Sequence, residues 1–392
     1  MKNIKVTDRV YYVGVNDRKK HLFENNWPLP NGVSYNSYLI KDEKNALVDS
    51  LEFGSKEEYL TQIDEILEGK ELHYLIVNHM EPDHSSMVGI LLKFYPNLKI
   101  VANSKAFKML EGYYGVPSSN IYEVKDGDML DLGYHKLKFV MAPMVHWPET
   151  MFTYDTTNHI LFSCDAFGTF GTLDGAIFDD EINFDFYEDE MRRYYSNIVG
   201  KYSHMVQKAF AKLEGVKIEY ICPSHGPIWR KEPQRAIALY DKWSRHLSDE
   251  GVVIAYASMY GNNEKIADYA ARLISEEGIK NIRIYDVSKS HASYILSDIW
   301  KYKGVLLGSS AYNGVMHPMM SHLCNELEII NPKNKNYSLF GTYSWSGGGV
   351  KGLRAFAEKM EWREVASAVE VLGTPKLEQM EPLKEVAKRI LS

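Results

Sequence analysis

From residue 251 onward the sequence alternates regularly between short apolar runs, glycine-bearing loops and amphipathic segments. This pattern predicts strands over 251–256, 282–285, 304–308 and 337–341, and helices over 264–275 and 349–359. Apolar runs joined by helices are typical of a parallel sheet that is covered on both faces. The sequence therefore predicts a doubly wound parallel-sheet domain of about 140 residues, which we place at 249–392.

The first 248 residues also mix strands and helices, but without that regularity. Apolar runs predict buried strands over 45–49, 72–78, 136–141 and 159–164, and spacings of three and four predict helices over 56–67 and 87–95. The change of pattern near residue 249 indicates two α/β domains, 1–248 and 249–392.

Charge and cysteine usage exclude several classes of protein. Forty-five basic and fifty-two acidic side chains give a net charge of −7 without a basic block, which argues against a nucleic-acid partner. Cys164, Cys222 and Cys324 form no CxxC pair, so we expect no disulfide framework and no built-in rubredoxin or iron–sulfur centre. No secretory signal or membrane span is visible, so we expect a soluble cytoplasmic protein without a membrane partner.

The densest group of metal-binding side chains is the segment His79-Met80-Glu81-Pro82-Asp83-His84, which follows the predicted strand 72–78. Because proline lacks an N–H and disfavours a helix interior, we expect an extended loop here. Side chains 79, 81 and 83 would then point to one side and 84 to the other. Such a loop could serve two neighbouring metal ions.

Three further candidates follow other apolar runs, namely His146 after 137–145, Asp165 after 160–164 and His225 after 218–224. We expect these strand ends to converge at one rim of a sheet. A single histidine at such a position is usually structural, but four histidines and three carboxylates together predict a binuclear site. Nitrogen and oxygen donors without sulfur suit zinc, iron or manganese.

Three loops of the second domain predict a site for a mononucleotide. The first, 258–263, joins a strand to a helix, where hydroxyls, amides and backbone N–H groups can hold a phosphate. It matches neither GxxxxGK[ST] nor GxGxxG, so ATP and NAD do not fit. Two later loops meet at the same crevice in this fold, where Tyr312 and Trp345 could flank a flat ring. FMN is the predicted ligand, with contacts from Ser258, Met259, Tyr260, Gly261, Asn262, Asn263, Ser310, Ala311, Tyr312, Asn313, Gly314, Ser344, Trp345, Ser346, Gly347 and Gly348.

The metal cluster resembles the site of metallo-β-lactamase-type proteins, whose usual signature is HxHxDH, with Glu81 in place of the second histidine. Together with His146-Trp147-Pro148, Ser163-Cys164-Asp165 and a flavodoxin-like second half, it makes the whole chain resemble the flavodiiron proteins, which are oxygen and nitric oxide reductases of anaerobic cells. The resemblance implies a metallo-β-lactamase-like αβ/βα domain followed by a flavodoxin-like domain.

The resemblance also implies a non-haem diiron site that is bridged by a solvent-derived oxo or hydroxo group. One iron would be held by His79, Glu81 and His146, the other by Asp83, His84 and His225, and both by Asp165. Glu81 adds a negative charge and a hard oxygen donor, which favours an iron pair over a zinc pair. Tyr194 or Tyr195 could offer a hydroxyl to the bound gas, although a buried tyrosine is more often structural.

The family reduces O₂ to water, NO to N₂O, or both, with electrons relayed through FMN. The resemblance further implies a head-to-tail homodimer, or a dimer of such dimers, and an external electron donor such as rubredoxin. Two alternatives stay open at this stage. One is a dizinc hydrolase that carries a flavodoxin-like domain, which Glu81 disfavours. The other is a binding or electron-carrier protein whose metal-binding residues are merely structural.

Overall fold

The computed structural model describes residues 4–392, which form two compact units. The first unit runs to Tyr195 and resumes over Tyr202–Asp241, and the second comprises Ser196–Lys201 and Lys242–Ser392. Among the helices of residues 4–392, none has both the length and the apolar character that crossing a bilayer requires.

The first unit contains sixteen short strands among its described residues. These are β1 (Ile4–Lys5), β2 (Val10–Tyr12), β3 (Val15–Asp17), β4 (Leu22–Phe23), β5 (Trp27–Pro28), β6 (Val33–Tyr35), β7 (Tyr38–Ile40), β8 (Asn45–Val48), β9 (Leu72–Ile76), β10 (Lys99–Ala102), β11 (Ile121–Glu123), β12 (Met129–Asp131), β13 (Lys136–Met141), β14 (Met151–Asp155), β15 (Ile160–Cys164) and β16 (Tyr220–Pro223). Its helices are α1 (Lys56–Leu67), α2 (Pro82–Ser85), α3 (Val88–Phe94), α4 (Ser104–Tyr114), α5 (Asp185–Tyr194) and α6 (Ser203–Lys212), and α7 (Pro233–Ser244) leads into the second unit.

Two sheets share one core in this unit. The first has seven strands in the order β1-β2-β7-β8-β9-β10-β11, and the second has five in the order β12-β13-β14-β15-β16. Apolar side chains from both sheets form a single buried cluster, in which the rings of Tyr38 and Phe162 lie 5.4 Å apart. Helix α1 buries Tyr59, Ile63 and Ile66, as its three- and four-residue spacing predicts.

The segment that we predicted as an extended loop is partly helical. Pro82 occupies the first position of α2, and Asp83 and His84 follow it within that helix. A proline fits this position because the first N–H groups of a helix have no intrahelical partner. The expectation of an extended chain is therefore wrong for 82–85, whereas His79 and Glu81 precede the helix.

The predicted site residues also come from two sheets, so the expectation of a single rim is wrong. His79 follows β9 of the seven-stranded sheet, whereas His146, Asp165 and His225 follow β13, β15 and β16 of the five-stranded sheet. Strands β13, β15 and β16 run in the same direction, so their carboxyl ends lie at one edge. The two sheets together bring the four residues to one side of the core.

The second unit contains β17 (Asp249–Ala257), β18 (Ile282–Asp286), β19 (Tyr302–Tyr312), β20 (Val315–Met316), β21 (Asn336–Tyr343), β22 (Arg363–Glu364) and β23 (Val369–Leu372). Its helices are α8 (Asn262–Glu276), α9 (Ala292–Lys301), α10 (Pro318–Ile330), α11 (Gly349–Met360), α12 (Leu377–Met380) and α13 (Leu383–Arg389). The strands pair in the order β18-β17-β19-β21, and β22 and β23 continue the sheet beyond β21.

All of these strands except β20 are parallel to their neighbours. Val252 and Ile254 of β17 pack against α8 and α13, while Val253 and Ala255 alternate to the opposite face, which α9 and α10 contact. The predicted doubly wound parallel sheet is confirmed.

Candidate functional site

The structure brings the seven predicted metal-binding side chains into two adjoining groups. Within each group the potential ligand atoms lie within 4.8 Å of one another, and all seven side chains are buried. The groups are His79, Glu81, His146 and Asp165 in one, and Asp83, His84 and His225 in the other.

Asp165 lies between the two groups. Its Oδ2 is 3.3 Å from His79 Nε2 and 3.1 Å from His146 Nε2. Its Oδ1 is 2.9 Å from His84 Nε2 and 3.4 Å from His225 Nε2. One carboxylate therefore presents one oxygen to each group, as a bridge between two metal ions does.

Carboxylates complete each group. Glu81 Oε2 lies 3.1 Å from His146 Nε2 and 3.5 Å from His79 Nε2. Asp83 directs Oδ1 to His84 Nε2 and Oδ2 to His225 Nε2, each at 3.3 Å. Each group thus has two imidazoles, one carboxylate of its own and one oxygen of Asp165.

Local structure explains how the ligand atoms converge. The strand β13 ends at Met141, so the apolar residues 142–145 are not part of it as the sequence suggested. His146 lies in the turn that follows this strand. Asp165 directly follows Cys164, whose φ of +52° turns the chain out of β15. His225 lies two residues beyond the end of β16. The two sheets hold these short turns in place.

The polar atoms of this cluster fit a bound metal pair. Both carboxylate oxygens of Asp83 and Asp165, and Nε2 of His84 and of His225, are buried. Although these atoms lie 2.9–3.4 Å from one another, none of them makes a well-oriented hydrogen bond among residues 4–392. Buried polar atoms normally have a partner, because leaving one unpaired costs about 1–3 kcal/mol. Metal ions would satisfy all of these atoms at once.

The pKa values of the cluster show its charge pairing. Burial lowers the pKa of His79, but hydrogen bonds with Glu149 and Glu81 outweigh it and raise the pKa to about 9. Burial likewise opposes a charge on His84, yet Asp83 and Asp165 raise its pKa to about 10. Imidazoles ligate only when the ligating nitrogen is deprotonated, so metal binding releases these protons.

One thiol also borders the cluster. Cys164 lies with His84 and Asp165 in a third group whose atoms are within 4.8 Å of one another. Burial raises the pKa of the Cys164 thiol well above its usual range, and the neighbouring Asp165 carboxylate raises it further. Since the thiolate is the metal-binding form, Cys164 is a poor competitor for the metal.

The two predicted tyrosines have different surroundings. The Tyr194 ring lies 5.5 Å from that of His225, and its buried hydroxyl has no hydrogen-bond partner in the described part of the chain. Burial and the nearby Asp165 raise the pKa of Tyr194, so its phenol holds its proton. The hydroxyl of Tyr195 instead pairs with Ser203 Oγ at 2.8 Å.

In the second unit, a cleft at the carboxyl ends of β17, β19 and β21 brings the three predicted loops together. The strand order reverses between β17 and β19, which is where ligands bind in such sheets. The cleft is lined by Ser258, Met259, Tyr260, Asn262, Ser310, Ala311, Thr342, Tyr343, Ser344 and Gly373.

The cleft offers polar groups suited to a flavin mononucleotide. The first loop leads into the amino terminus of α8, where Gly261 has a φ of +80° and provides no side-chain cap, and the N–H groups of a helix amino terminus favour a phosphate. Ser310 Oγ is buried and has no hydrogen-bond partner among residues 4–392. These features fit the predicted FMN.

Several predicted flavin contacts do not line this cleft. Asn263 is buried, and its Nδ2 donates to the carbonyl of Ala257 at 2.7 Å. The other predicted flavin contacts that do not line the cleft are Gly261, Tyr312, Asn313, Gly314, Trp345, Ser346, Gly347 and Gly348.

The two later loops, 310–314 and 344–348, nevertheless pack closely together. A Cβ on Gly348, whose φ is +138°, would lie 2.1 Å from the carbonyl oxygen of Gly314. Only glycine allows this approach.

Comparison with known proteins decides the family. A family model described as "ODP family beta lactamase" matches residues 33–226, and one described as "Flavodoxin" matches residues 254–382. The anaerobic nitric oxide reductase flavorubredoxin of Enterobacter sp. (strain 638) is 33% identical over 384 residues, which cover 94% of this chain and 80% of that protein. The chain belongs to the flavodiiron protein family.

Solved structures agree with this assignment. Rubredoxin oxygen:oxidoreductase from Desulfovibrio gigas matches with a TM-score of 0.95 at 30% identity, covering 100% of this chain and 98% of that one. The flavodiiron protein of Giardia intestinalis matches with a TM-score of 0.92 at 26% identity, covering 99% and 95%. The predicted family and two-part fold are confirmed.

Sequence reasoning missed several residues of this flavodiiron protein. Glu149 Oε1 lies 2.8 Å from His79 Nδ1, and the carbonyl of Ser34 lies 2.7 Å from His225 Nδ1. Thr342, Tyr343 and Gly373 line the flavin cleft without having been predicted. For Glu149 a signal existed, since it follows the predicted ligand His146 by three positions in the segment His-Trp-Pro-Glu.

Proposed function

We propose that this flavodiiron protein reduces O₂ to water, NO to N₂O, or both. The observation that carries the proposal is the Asp165 carboxylate, which presents one oxygen to each of two groups that each contain two imidazoles and a further carboxylate. The relatives are named for these two reactions, nitric oxide reduction and rubredoxin-dependent oxygen reduction. When bound, FMN and two irons supply the redox chemistry, because a reduced flavin and a ferrous pair each hold two electrons.

We also propose the individual site residues. His79, Glu81 and His146 hold one iron, Asp83, His84 and His225 hold the other, and Asp165 bridges the two. FMN binds in the cleft beside α8, with its phosphate at the loop 258–263 and its ring beside Ser310, Ala311 and Ser344, where the two later loops begin.

The protein contributes the geometry and the exclusion of water. Buried ligands leave little room for solvent around the two ions, and the phenol of Tyr194 keeps a proton beside His225. The ligand set contains the three carboxylates Glu81, Asp83 and Asp165 and no thiolate, a composition that suits iron or manganese better than soft metals.

Gas consumption by purified protein tests the proposed reaction. The protein is loaded with Fe²⁺ and FMN, reduced anaerobically by one chemical donor, and given O₂ or NO in separate runs. We expect it to consume at least one gas, with water or N₂O as the product and no accumulation of peroxide. A matched preparation with the same FMN but with Zn²⁺ should not exceed the rate of free reduced flavin. Equal rates for the iron and zinc preparations would contradict the proposal.

We further propose the domain boundary, the assembly and the surroundings of the chain. The boundary lies at 248/249, between the ranges of the two family models.

The assembly is a head-to-tail homodimer or a dimer of such dimers. Around the flavin cleft, Tyr260 and Trp345 are 86% and 77% exposed, and Val315 is 60% exposed, so a partner surface could cover them. The donor is an external protein such as rubredoxin, and the compartment is the cytoplasm.

Complementation between two inactive variants tests the head-to-tail arrangement. Asp165→Asn removes the shared carboxylate and Gly348→Ala disrupts the packing of the flavin loops. In a heterodimer of the two, the FMN of the first variant would face the intact metals of the second. We therefore expect a heterodimer that carries two different affinity tags to regain up to about half of the wild-type turnover, which reflects one functional pair of centres out of two. A heterodimer as inactive as either parent would show that each chain serves its own metals.

A further inference from the structure

Glu149 forms a hydrogen bond with His79 on the side of the imidazole ring that faces away from the metal cluster. Its Oε1 lies 2.8 Å from His79 Nδ1 and accepts the Met80 N–H at 2.9 Å. Its side chain is fully buried, and Oε2 has no hydrogen-bond partner among residues 4–392. Because a carboxylate accepts, Nδ1 of His79 carries the proton, and its Nε2 is left to face the cluster.

The same residue ties two site-forming loops together. Glu149 follows His146 within one turn, while its carboxylate bonds to the loop of His79. Its backbone carbonyl accepts a hydrogen bond from Asn103 Nδ2 at 2.5 Å, and Asn103 in turn caps α4 through its Oδ1. The position of Glu149 is therefore fixed from both sides.

In the other group, His225 has a neutral partner at the corresponding place. His225 donates its Nδ1 proton to the backbone carbonyl of Ser34, 2.7 Å away. A carbonyl is neutral, whereas a buried carboxylate increases the electron donation of the imidazole that it accepts from. The hydrogen-bond partner behind His79 is thus charged, whereas the one behind His225 is neutral. The nearby buried carboxyl of Asp49 interacts with both His79 and His84, so it does not by itself distinguish the two groups.

We propose that Glu149 is a positioning residue that makes the two metal positions unequal. Through His79, its charge causes the position formed with Glu81 and His146 to hold its ion more tightly than the position formed with Asp83, His84 and His225. The identification of the ions as iron rests on the proposed function, but the inequality concerns any divalent ion in the two groups.

Metal release from three variants tests this inference. Glu149→Gln removes the charge but keeps a carbonyl oxygen that can accept hydrogen bonds from His79 and Met80. Glu149→Ala removes both the charge and the hydrogen-bond acceptor. Asp42→Asn is the matched control, because the buried Asp42 carboxylate likewise accepts from Nδ1 and from the backbone N–H of a histidine, His135, which is not one of the metal-binding imidazoles. Each protein is loaded anaerobically with Fe²⁺ and mixed with excess ferrous chelator.

We expect two release phases of equal amplitude in the wild-type protein. Glu149→Gln should accelerate the slow phase about 10–100-fold and leave the fast phase unchanged, as expected for loss of a partner just outside the ligands. Glu149→Ala should accelerate the slow phase at least as much, and Asp42→Asn should change neither phase. Retained FMN, together with an unchanged far-ultraviolet circular dichroism spectrum, shows that both units of each variant are folded.

Three results would overturn the inference: unchanged release in Glu149→Gln, equal acceleration of both phases, or the same acceleration in Asp42→Asn. Gas turnover is measured separately on the same preparations. An accelerated slow phase in a protein that reduces neither O₂ nor NO would refute the proposed function and leave the inference standing. Normal turnover together with unchanged metal release would refute the inference about Glu149 and leave the proposed function standing.

Discussion

Replacing Asp165 by asparagine is expected to empty the metal centre. The Asp165 carboxylate approaches two imidazoles of one group and two of the other within 3.4 Å. The amide removes a negative charge and leaves one oxygen to serve two positions, so both sites weaken at once. We expect the iron content to fall from two to one or fewer per chain and turnover to fall at least about a hundredfold, while FMN stays bound. Elemental analysis and gas consumption measure the two effects.

Asp155→Asn is the matched control for this variant. Asp155 is a fully buried carboxylate in the adjacent strand β14, and it accepts the backbone N–H of Thr157 at 2.9 Å rather than facing the cluster. Asparagine can accept the bond from Thr157 and loses only the longer bond from the Asn158 N–H, at 3.2 Å. Because neither bond involves the metal cluster, this variant should keep its iron and its turnover. Wild-type iron content in Asp165→Asn, or an equal loss in Asp155→Asn, would contradict the bridging role of Asp165.

Replacing Gly348 by alanine is expected to weaken FMN binding strongly without affecting the metals. The new Cβ would lie 2.1 Å from the Gly314 carbonyl oxygen and 2.9 Å from the Val315 nitrogen, at a φ of +138°. These are backbone atoms of the preceding loop, so the two loops must separate. Strain of this kind costs about 1–3 kcal/mol before the clash is counted. We expect FMN affinity to fall at least about a hundredfold, measured by fluorescence titration of the flavin-free protein.

The neighbouring Gly347 supplies the control. A Cβ there would meet only the carboxylate of Glu370, 3.2 Å away at the end of a flexible side chain. Gly347→Ala should therefore bind FMN within a few-fold of the wild-type affinity. Equal affinity losses in the two variants would mean that loop flexibility, rather than the close approach at Gly348, governs flavin binding.

The second unit shows how much of a fold can be predicted from local patterns. In a parallel sheet each central strand is buried on both faces, so β17, β19 and β21 appear as continuous apolar runs that are visible in the sequence. The edge strands β22 and β23 are short or alternate with exposed residues, and they carry no such signal. Edge pairing depends on tertiary contacts that the local sequence does not encode.

The metal centre was predictable in composition but not in geometry. Imidazoles and carboxylates that follow apolar strands indicate metal ligands. His79 and Asp165, however, meet only because their two sheets pack face to face, and this long-range packing cannot be predicted from the local sequence. Pro82 predicts an extended chain if proline is treated only as a helix breaker, but a proline also suits the first helical position, which it occupies here. Glu149 escaped detection because it acts through His79 and not as a predicted ligand.

The metal content of the protein tests the central claim most directly. Protein is produced with iron and zinc both available, purified under anaerobic conditions and analysed for both metals and for FMN. We predict two irons and one FMN per chain with little zinc, because Glu81, Asp83 and Asp165 form a carboxylate-rich pair of sites without thiolates. Two zinc ions per chain, with no iron, would contradict a redox-active metal pair and with it the proposed reduction of O₂ or NO.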